Sequence, residues 1–395
     1  MERKTGEFRR STVAGETVDA FVPGALPPAD PSLALDGDLA QVLARAEHAV
    51  ARLDLAGEMV PSLDWFIYAF VRKEAVVSSQ IEGTEATLED LLNFEATPEG
   101  TKPGADIEEV CNYLDALTWA RRELARLKGL PLSMRLVHGV HRRLMRGVRG
   151  ATKQPGEVRR TQNWIGGARP GLATYVPPPP QEVHRLLGDL ERYIHAKDKL
   201  PPLVRAGLVH VQFETIHPYL DGNGRVGRLL IALLLEHWGV LHAPLLYLSL
   251  FFKRRRPDYY RFLNEVRRGG NWEGWTEYFL QGVGEIAEES ANTARDLYRL
   301  VAKDRVRVVD AKNSSLTAVR LLELLPRHPV VTIPGSIRML ETTKPTATKA
   351  VGLLESLGIL KETTGRKRDR VYKYVRYLDL LRTGTELIPA RGNRP

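Results

Sequence analysis

Two apolar helical runs separated by a short polar loop constrain this chain more than any other feature. The first run, "PPLVRAGLVHVQFETI", places Leu203, Ala206, Val209 and Phe213 at helical intervals. The loop "HPYLDGNG" follows, and a second run, "RVGRLLIALLLEH", starts at once. A helix must therefore run into a tight turn, and another must begin immediately after it. Gly222 and Gly224 supply the backbone freedom for that turn and for close approach to a ligand.

The loop is also crowded with chemistry. The first turn of the second helix offers N–H groups without intrahelical acceptors and the positive end of the helix dipole, a natural seat for phosphate. Arg225 and Arg228 are three residues apart and project from one face of that turn. Cations disfavour a helix N-terminus, so two of them there call for anions, and a polyphosphate would supply them. Asp221 is a hard oxygen ligand suited to Mg²⁺ together with phosphate oxygens. His217 is the one side chain of the loop able to take a proton near neutral pH. Together these parts point to phosphoryl or nucleotidyl transfer. A plain helical bend with arginines in solvent leaves most of these positions unexplained. Gly222, Gly224 and Gly227 also satisfy G-x-G-x-x-G, but a helix precedes them instead of the strand that a dinucleotide turn needs.

The rest of the chain bounds this reading. Its 395 residues, 43% apolar and 27% charged, suit two or three globular domains. The single cysteine, Cys111, fits a reducing compartment, and "MERKTGEFRR" does not resemble a secretory leader, so a cytoplasmic protein is expected. The apolar run 229–252 is interrupted by Glu236, His237, Gly239, His242 and Pro244, which predicts two buried helices and a turn, with no membrane partner. Residues 301–395 hold 19 Lys or Arg against 9 Asp or Glu, an excess larger than the whole chain's net +9. A basic C-terminal module with its own partner is expected.

Helical patterns cover much of 36–146 and 181–302, with Thr87 and Asp90 spaced as an N-terminal capping pair. Residues 1–35 look irregular, 156–180 read as a β-hairpin, and the polar stretch 303–314 reads as a linker. Three segments follow: an N-terminal helical region 1–103, a core 104–302 and a C-terminal domain 303–395. His138 and His141 suggest no metal site, and His210 and His242 read as core residues.

"HPYLDGNGRVGR" resembles the signature of the Fic family, with Tyr219 where phenylalanine is usual. The resemblance implies a mainly α fold: a Fic-type helical core with a β-hairpin flap, followed by a C-terminal winged helix. It implies transfer of AMP from ATP, with Mg²⁺, to a Tyr, Thr or Ser hydroxyl of a target protein. In that scheme His217 is the base and Asp221 the metal ligand. Gly222, Asn223, Gly224, Arg225, Val226, Gly227 and Arg228 surround the phosphates, with Arg225 on the β- and Arg228 on the γ-phosphate. Tyr260, rather than Tyr259, contacts the adenine. "TQNWIGG" matches the flap that holds the target by strand addition, with Ile165 clamping its side chain.

"SSQIEG" resembles the family's inhibitory motif through Ser78, Glu82 and Gly83. Gly83 reads as the C-cap of the preceding helix and Glu82 as part of its last turn. The resemblance implies that Glu82 pairs with Arg228 and holds ATP in an unproductive pose. The segment 316–375 has the order of a winged helix, its wing tip carrying Arg366, Lys367, Arg368 and Arg370. DNA is one partner for such a module and protein another. Two alternatives to AMP transfer stand beside it: a DNA-binding regulator whose core senses nucleotide, and an AMP-removing enzyme using Glu82. The resemblance also leaves room for a homodimer.

Overall fold

The computed structural model describes residues 3–58, 63–97 and 100–387. In chain order its elements are β1 (Gly6–Val13), β2 (Glu16–Pro23), α1 (Gly37–Glu58), α2 (Leu63–Ile81), α3 (Leu88–Glu95), α4 (Ala105–Ala125), α5 (Met134–Leu144), α6 (Pro180–His195) and α7 (Pro202–Ile216). They continue with α8 (Asn223–His237), α9 (Ser249–Arg254), α10 (Arg256–Gly269), α11 (Trp272–Val309), α12 (Leu316–Leu324), β3 (Val330–Thr332), α13 (Ile333–Leu340), α14 (Lys344–Ser356), β4 (Lys361–Glu362), β5 (Val371–Lys373) and α15 (Val375–Arg382). The fold is mainly α, as the periodicity predicts. It forms two compact units, one drawn from residues 1–52 and 111–288, the other from 53–110 and 289–395.

The first unit is organised on α7 and α8. Every α7 residue from Leu203 to Ile216 is buried, and so is α8 from Arg225 to Leu235. The two helices come close because residue 227 has no side chain. A Cβ there would meet Glu214 Oε1 at 2.5 Å, Phe213 Cδ1 at 3.3 Å and His210 Cε1 at 3.4 Å. His210 lies wholly inside this layer. One ring nitrogen, Nδ1, donates to the Gly227 carbonyl (3.1 Å), and the other, Nε2, accepts from the Tyr259 hydroxyl (2.9 Å). It is the satisfied core histidine expected. His242, by contrast, is exposed rather than in the core. The apolar run after α8 breaks as predicted: α8 stops at His237, Gly239 turns at φ 68, and helix resumes at Ser249. Among the described residues no helix is long and apolar enough to cross a membrane.

Two expectations for this unit need correction. Residues 6–23, expected to be irregular, form an antiparallel hairpin in register from Gly6↔Pro23 to Val13↔Glu16. Its turn, Ala14–Gly15, has positive φ at both positions, the geometry that matches strand twist. Val13, Val18 and Ala20 bury one face together with Val176. The signal was weak because Ala, not Asn or Asp, precedes the turn glycine. The 156–180 hairpin, in turn, shrinks to a single bridge, Ile165↔Tyr175, with a 3₁₀ turn at Pro170–Leu172. Pro177 to Pro180 have no N–H to donate, so a longer ladder cannot form.

In the second unit α2 ends in a Schellman motif. Thr84 N–H donates to Ser79 O (3.2 Å) and Gly83 N–H to Gln80 O (3.1 Å), with Gly83 at φ 95. Glu82 is thus the residue just past the helix instead of within its last turn. The capping box of α3 is present: Asp90 N–H donates to Thr87 Oγ1 (3.2 Å) and Thr87 N–H to Asp90 Oδ2 (2.9 Å). Gln80 Nε2 donates to both Ala86 O and Thr385 O (2.9 Å each). The C-terminal residues fold as α12, β3, α13, α14 and the strands β4 and β5, in a three-stranded sheet of order β3-β5-β4. The expected 303–314 linker is helical as far as Val309. Its polarity has a structural cause: buried Asp304 accepts from Arg307 (2.6 Å), Arg376 (3.1 Å) and the Tyr374 hydroxyl (2.8 Å).

Candidate active site

The end of α7, the loop 218–222 and the start of α8 bring the loop chemistry to one place. His217 closes α7 in the left-handed region (φ 49, ψ 61), its N–H bonded to Phe213 O at 2.9 Å. Its side chain is half-buried. Gly222 (φ 78) precedes α8, and a Cβ there would meet Met145 Sδ at 2.8 Å. The loop is closed by Asn223, whose Oδ1 accepts from Tyr219 N–H (2.9 Å) while Nδ2 donates to Tyr219 O (2.8 Å). Asn223 therefore braces the turn with both side-chain groups on the Tyr219 backbone. The N–H groups of Asn223, Gly224 and Arg225 open α8 without intrahelical acceptors. That of Val226 is already bonded to Gly222 O at 3.1 Å, and Gly227 serves the contact with α7. The N–H groups that helix geometry leaves open thus end at Arg225.

Arg225 and Arg228 are both buried in the first turns of α8. Arg225 Nη2 lies 3.9 Å from Asp221 Oδ1, and its charge reaches His141; that of Arg228 reaches His210. Asp221 is partly exposed, and its Oδ1 accepts from Gly222 N–H at 2.6 Å. Gly150 (φ 87) passes so near that a Cβ would meet Asp221 Oδ2 at 2.7 Å.

Several residues that hold this loop were given no role from the sequence. His138 and His141, one turn apart on α5, both face it. His138 Nδ1 meets the Tyr219 hydroxyl at 2.7 Å. His141 stacks on the Tyr219 ring (centroids 3.8 Å, 4°), donates from Nε2 to Asp221 O (3.0 Å) and accepts at Nδ1 from Gly156 N–H (2.7 Å). Burial pushes the His141 pKa down to about 4, so the ring stays neutral and keeps one tautomer. The signal available was the i, i+3 spacing of two histidines on a strongly amphipathic helix. Arg159, buried beneath the loop, had no signal at all.

In the flap, Ile165 donates to Tyr175 O (2.8 Å) and accepts from Tyr175 N–H (3.1 Å). Its backbone is thus paired with Tyr175, while the flanking Trp164 and Gly166 are exposed and Gly166 turns at φ 70. On α10, Tyr259 is core, packed on Phe252 at 4.6 Å, whereas Tyr260 is 40% exposed. Ser78 is fully buried in α2, and Glu82 is exposed in the turn that follows.

Comparison with known proteins agrees with this architecture. Residues 40–122 match the Fic/DOC family N-terminal model and residues 131–235 the Fic/DOC family model itself. The whole loop, all of α7 and α8 as far as Leu235 lie inside the second match. The fold is similar to that of a Fic family protein from Desulfovibrio desulfuricans, with a TM-score of 0.56 at 20% identity, covering 86% of this chain and 97% of that one. A Fic domain containing signaling protein from Bacteroides thetaiotaomicron matches at TM-score 0.51 and 18% identity, over 65% of this chain and 97% of its own. Residues 131–235 thus carry a Fic domain, preceded by the N-terminal domain of the same family. Among named relatives, the protein adenylyltransferase Fic of Drosophila grimshawi is 32% identical over 177 residues, 44% of this chain and 32% of the fly protein. That of Drosophila virilis is 28% identical over 207 residues, 52% of this chain and 38% of its own. The chain thus spans about a third of the length of these relatives.

Proposed function

We propose that this chain transfers AMP from ATP to a Tyr, Thr or Ser hydroxyl of a target protein, or of itself. The observation that carries the reading is the short path from a base to an anion seat: His217 ends α7 and Asn223 opens α8. The name of the fly relatives, protein adenylyltransferase, points to the same chemistry. The target hydroxyl gives its proton to His217 as its oxygen bonds to the α-phosphorus. The bond from that phosphorus to the bridging oxygen breaks, and pyrophosphate leaves. First-turn N–H groups of α8 hold phosphate oxygens, with Arg225 on the β- and Arg228 on the γ-phosphate.

The partly exposed Asp221 carboxylate fits Mg²⁺, a cation that takes one or two carboxylates and completes its shell with phosphate oxygens and water. When bound, the ion would offset negative charge on the phosphates. The outer flap edge would take a target strand, with Ile165 as its clamp, and the exposed Tyr260 ring would cover the adenine. Ser78, Glu82 and Gly83 would restrain the reaction, since the motif ends in a fixed Schellman turn that presents Glu82 at the surface.

Incubating the full chain with ATP labelled at the α-phosphate and Mg²⁺ should give protein-bound label. No label on the chain or on added protein, in the unaltered chain and in Glu82→Gly alike, would overturn the reading.

A second role is favoured by one observation. Arg366, Lys367, Arg368 and Arg370 are all exposed between β4 and β5. With α12, α13 and α14 they would form a winged helix that places α14 in a DNA major groove and the tip on phosphates.

A further inference from the structure

We propose that Arg159 is a positioning residue that locks His217 and both roots of the flap into one unit; this rests on the transfer reading above. Its side chain is 1% exposed, and among the described residues no carboxylate acts on it. Instead the guanidinium fans onto carbonyls. Nε donates to His217 O (2.9 Å), Nη2 to Pro178 O (2.5 Å) and Ile216 O (3.5 Å), and Nη1 to Thr161 O (3.3 Å). Its own N–H donates to Pro218 O at 2.9 Å. Thr161 and Pro178 are where the flap leaves and returns.

The last carbonyls of a helix need partners from outside it. Those of α7 all find side chains: Glu214 O accepts from Arg267 (3.1 Å), Thr215 O from the Tyr175 hydroxyl (2.6 Å), and Ile216 O and His217 O from Arg159. A cation here also faces the negative end of the α7 dipole, which offsets part of the cost of burying it. Burial lowers its pKa to about 10, so it remains charged at neutral pH.

The consequence is geometric. His217 sits in a left-handed conformation that a residue with a Cβ adopts only when its surroundings over-determine it. Arg159 supplies that constraint and ties it to the flap that aligns the target. A lysine cannot replace it: one ammonium has no planar fork to span four carbonyls.

Arg159→Lys should leave ATP affinity within about threefold, because the anion seat on α8 touches no atom of Arg159. Its turnover number should fall about 10- to 100-fold, as expected for a misplaced base. Hydrogen exchange should speed up at 213–219 and at the flap roots but not along α8. In a His217→Ala background the substitution should have a smaller effect on residual transfer, because only its hold on the flap roots is left to lose. Arg159→Gln, which keeps two donors and loses the charge, should show the same pattern more strongly.

Unchanged turnover and exchange would overturn the proposal. So would losses of ATP affinity, transfer and melting temperature in step, which mark a merely structural residue. If neither variant folds, the unaltered chain decides: the His217 amide should exchange as slowly as the centre of α7. Exchange typical of a frayed helix end would then sink the idea. If the unaltered chain transfers no AMP, the exchange measurements alone test Arg159, and the functional reading fails separately.

Discussion

At residue 217 the backbone and the chemistry make different demands. A left-handed conformation costs a residue with a Cβ about 1 kcal/mol or more, yet the proposed reaction would need an imidazole there. The surrounding hydrogen bonds hold the backbone in that conformation. His217→Ala should therefore fold, bind ATP and lose about 10²- to 10⁴-fold in transfer, read by labelling and by nucleotide binding on the same sample. Labelling like that of the unaltered chain would remove His217 from the mechanism. Tyr219 shows the opposite economy. It departs from the usual phenylalanine, and its added hydroxyl is buried, but His138 meets it at 2.7 Å.

At the scale of elements, the α7–α8 pair depends on Gly227. In Gly227→Ala the new methyl would meet Glu214 Oε1 at 2.5 Å and two aromatic ring atoms at 3.3 and 3.4 Å. Overpacking of this kind costs about 1–3 kcal/mol, measurable as a lower denaturation midpoint; an unchanged midpoint would mean that the helices can move apart freely. The end of α2 carries a different prediction. Glu82→Gly leaves the Schellman turn intact, because Gly83 supplies the left-handed position. If Glu82 restrains transfer, labelling should rise about 10-fold or more, and combining the change with Arg228→Ala should cancel the gain. Labelling that stays level or drops counts against restraint. Slower release of AMP from pre-labelled protein would point instead to an AMP-removing role for Glu82.

For the whole molecule, buried neutral histidines set the acid limit. Burial holds His141 down to about 4 and His210 down to about 3, while in the unfolded chain both take a proton near 6.5. Below that value the unfolded state binds more protons, so stability is full above pH 6.5 and falls as pH drops toward 4. His141 alone accounts for about 3 kcal/mol across that window. Thermal melts between pH 7.5 and 4.5 should show the decline, and a flat profile would contradict the buried neutral rings. The basic tip is tested by salt. If the chain binds duplex DNA, replacing Arg366, Lys367, Arg368 and Arg370 by alanine should flatten the salt dependence of that affinity. No affinity at low salt would favour a protein partner for the module.

The sequence by itself determined the helical class, the break after His237, the capping box at Thr87 and the place of the loop between two apolar helices. Each of these is local: it follows from spacing along one helix or from the backbone freedom of a few residues. It also collected His217, Asp221, Arg225 and Arg228 in one short stretch, so the candidate site was legible before any fold was known. Tertiary structure alone decided what holds that stretch. His138 and His141 become parts of the loop because α5 packs beside it, and Asn223 turns inward because Tyr219 leaves a backbone pair for it. Arg159 is an ordinary basic residue in the sequence and the cap of a distant helix in the fold. The N-terminal hairpin and the short flap bridge were misread for a related reason: a strand is fixed by its partner, and Val176 and Tyr175 lie about 150 and 10 residues from the strands they pair with or cover. Hydrogen-bond partners of this kind are chosen by proximity in space, which residue spacing along the chain does not encode.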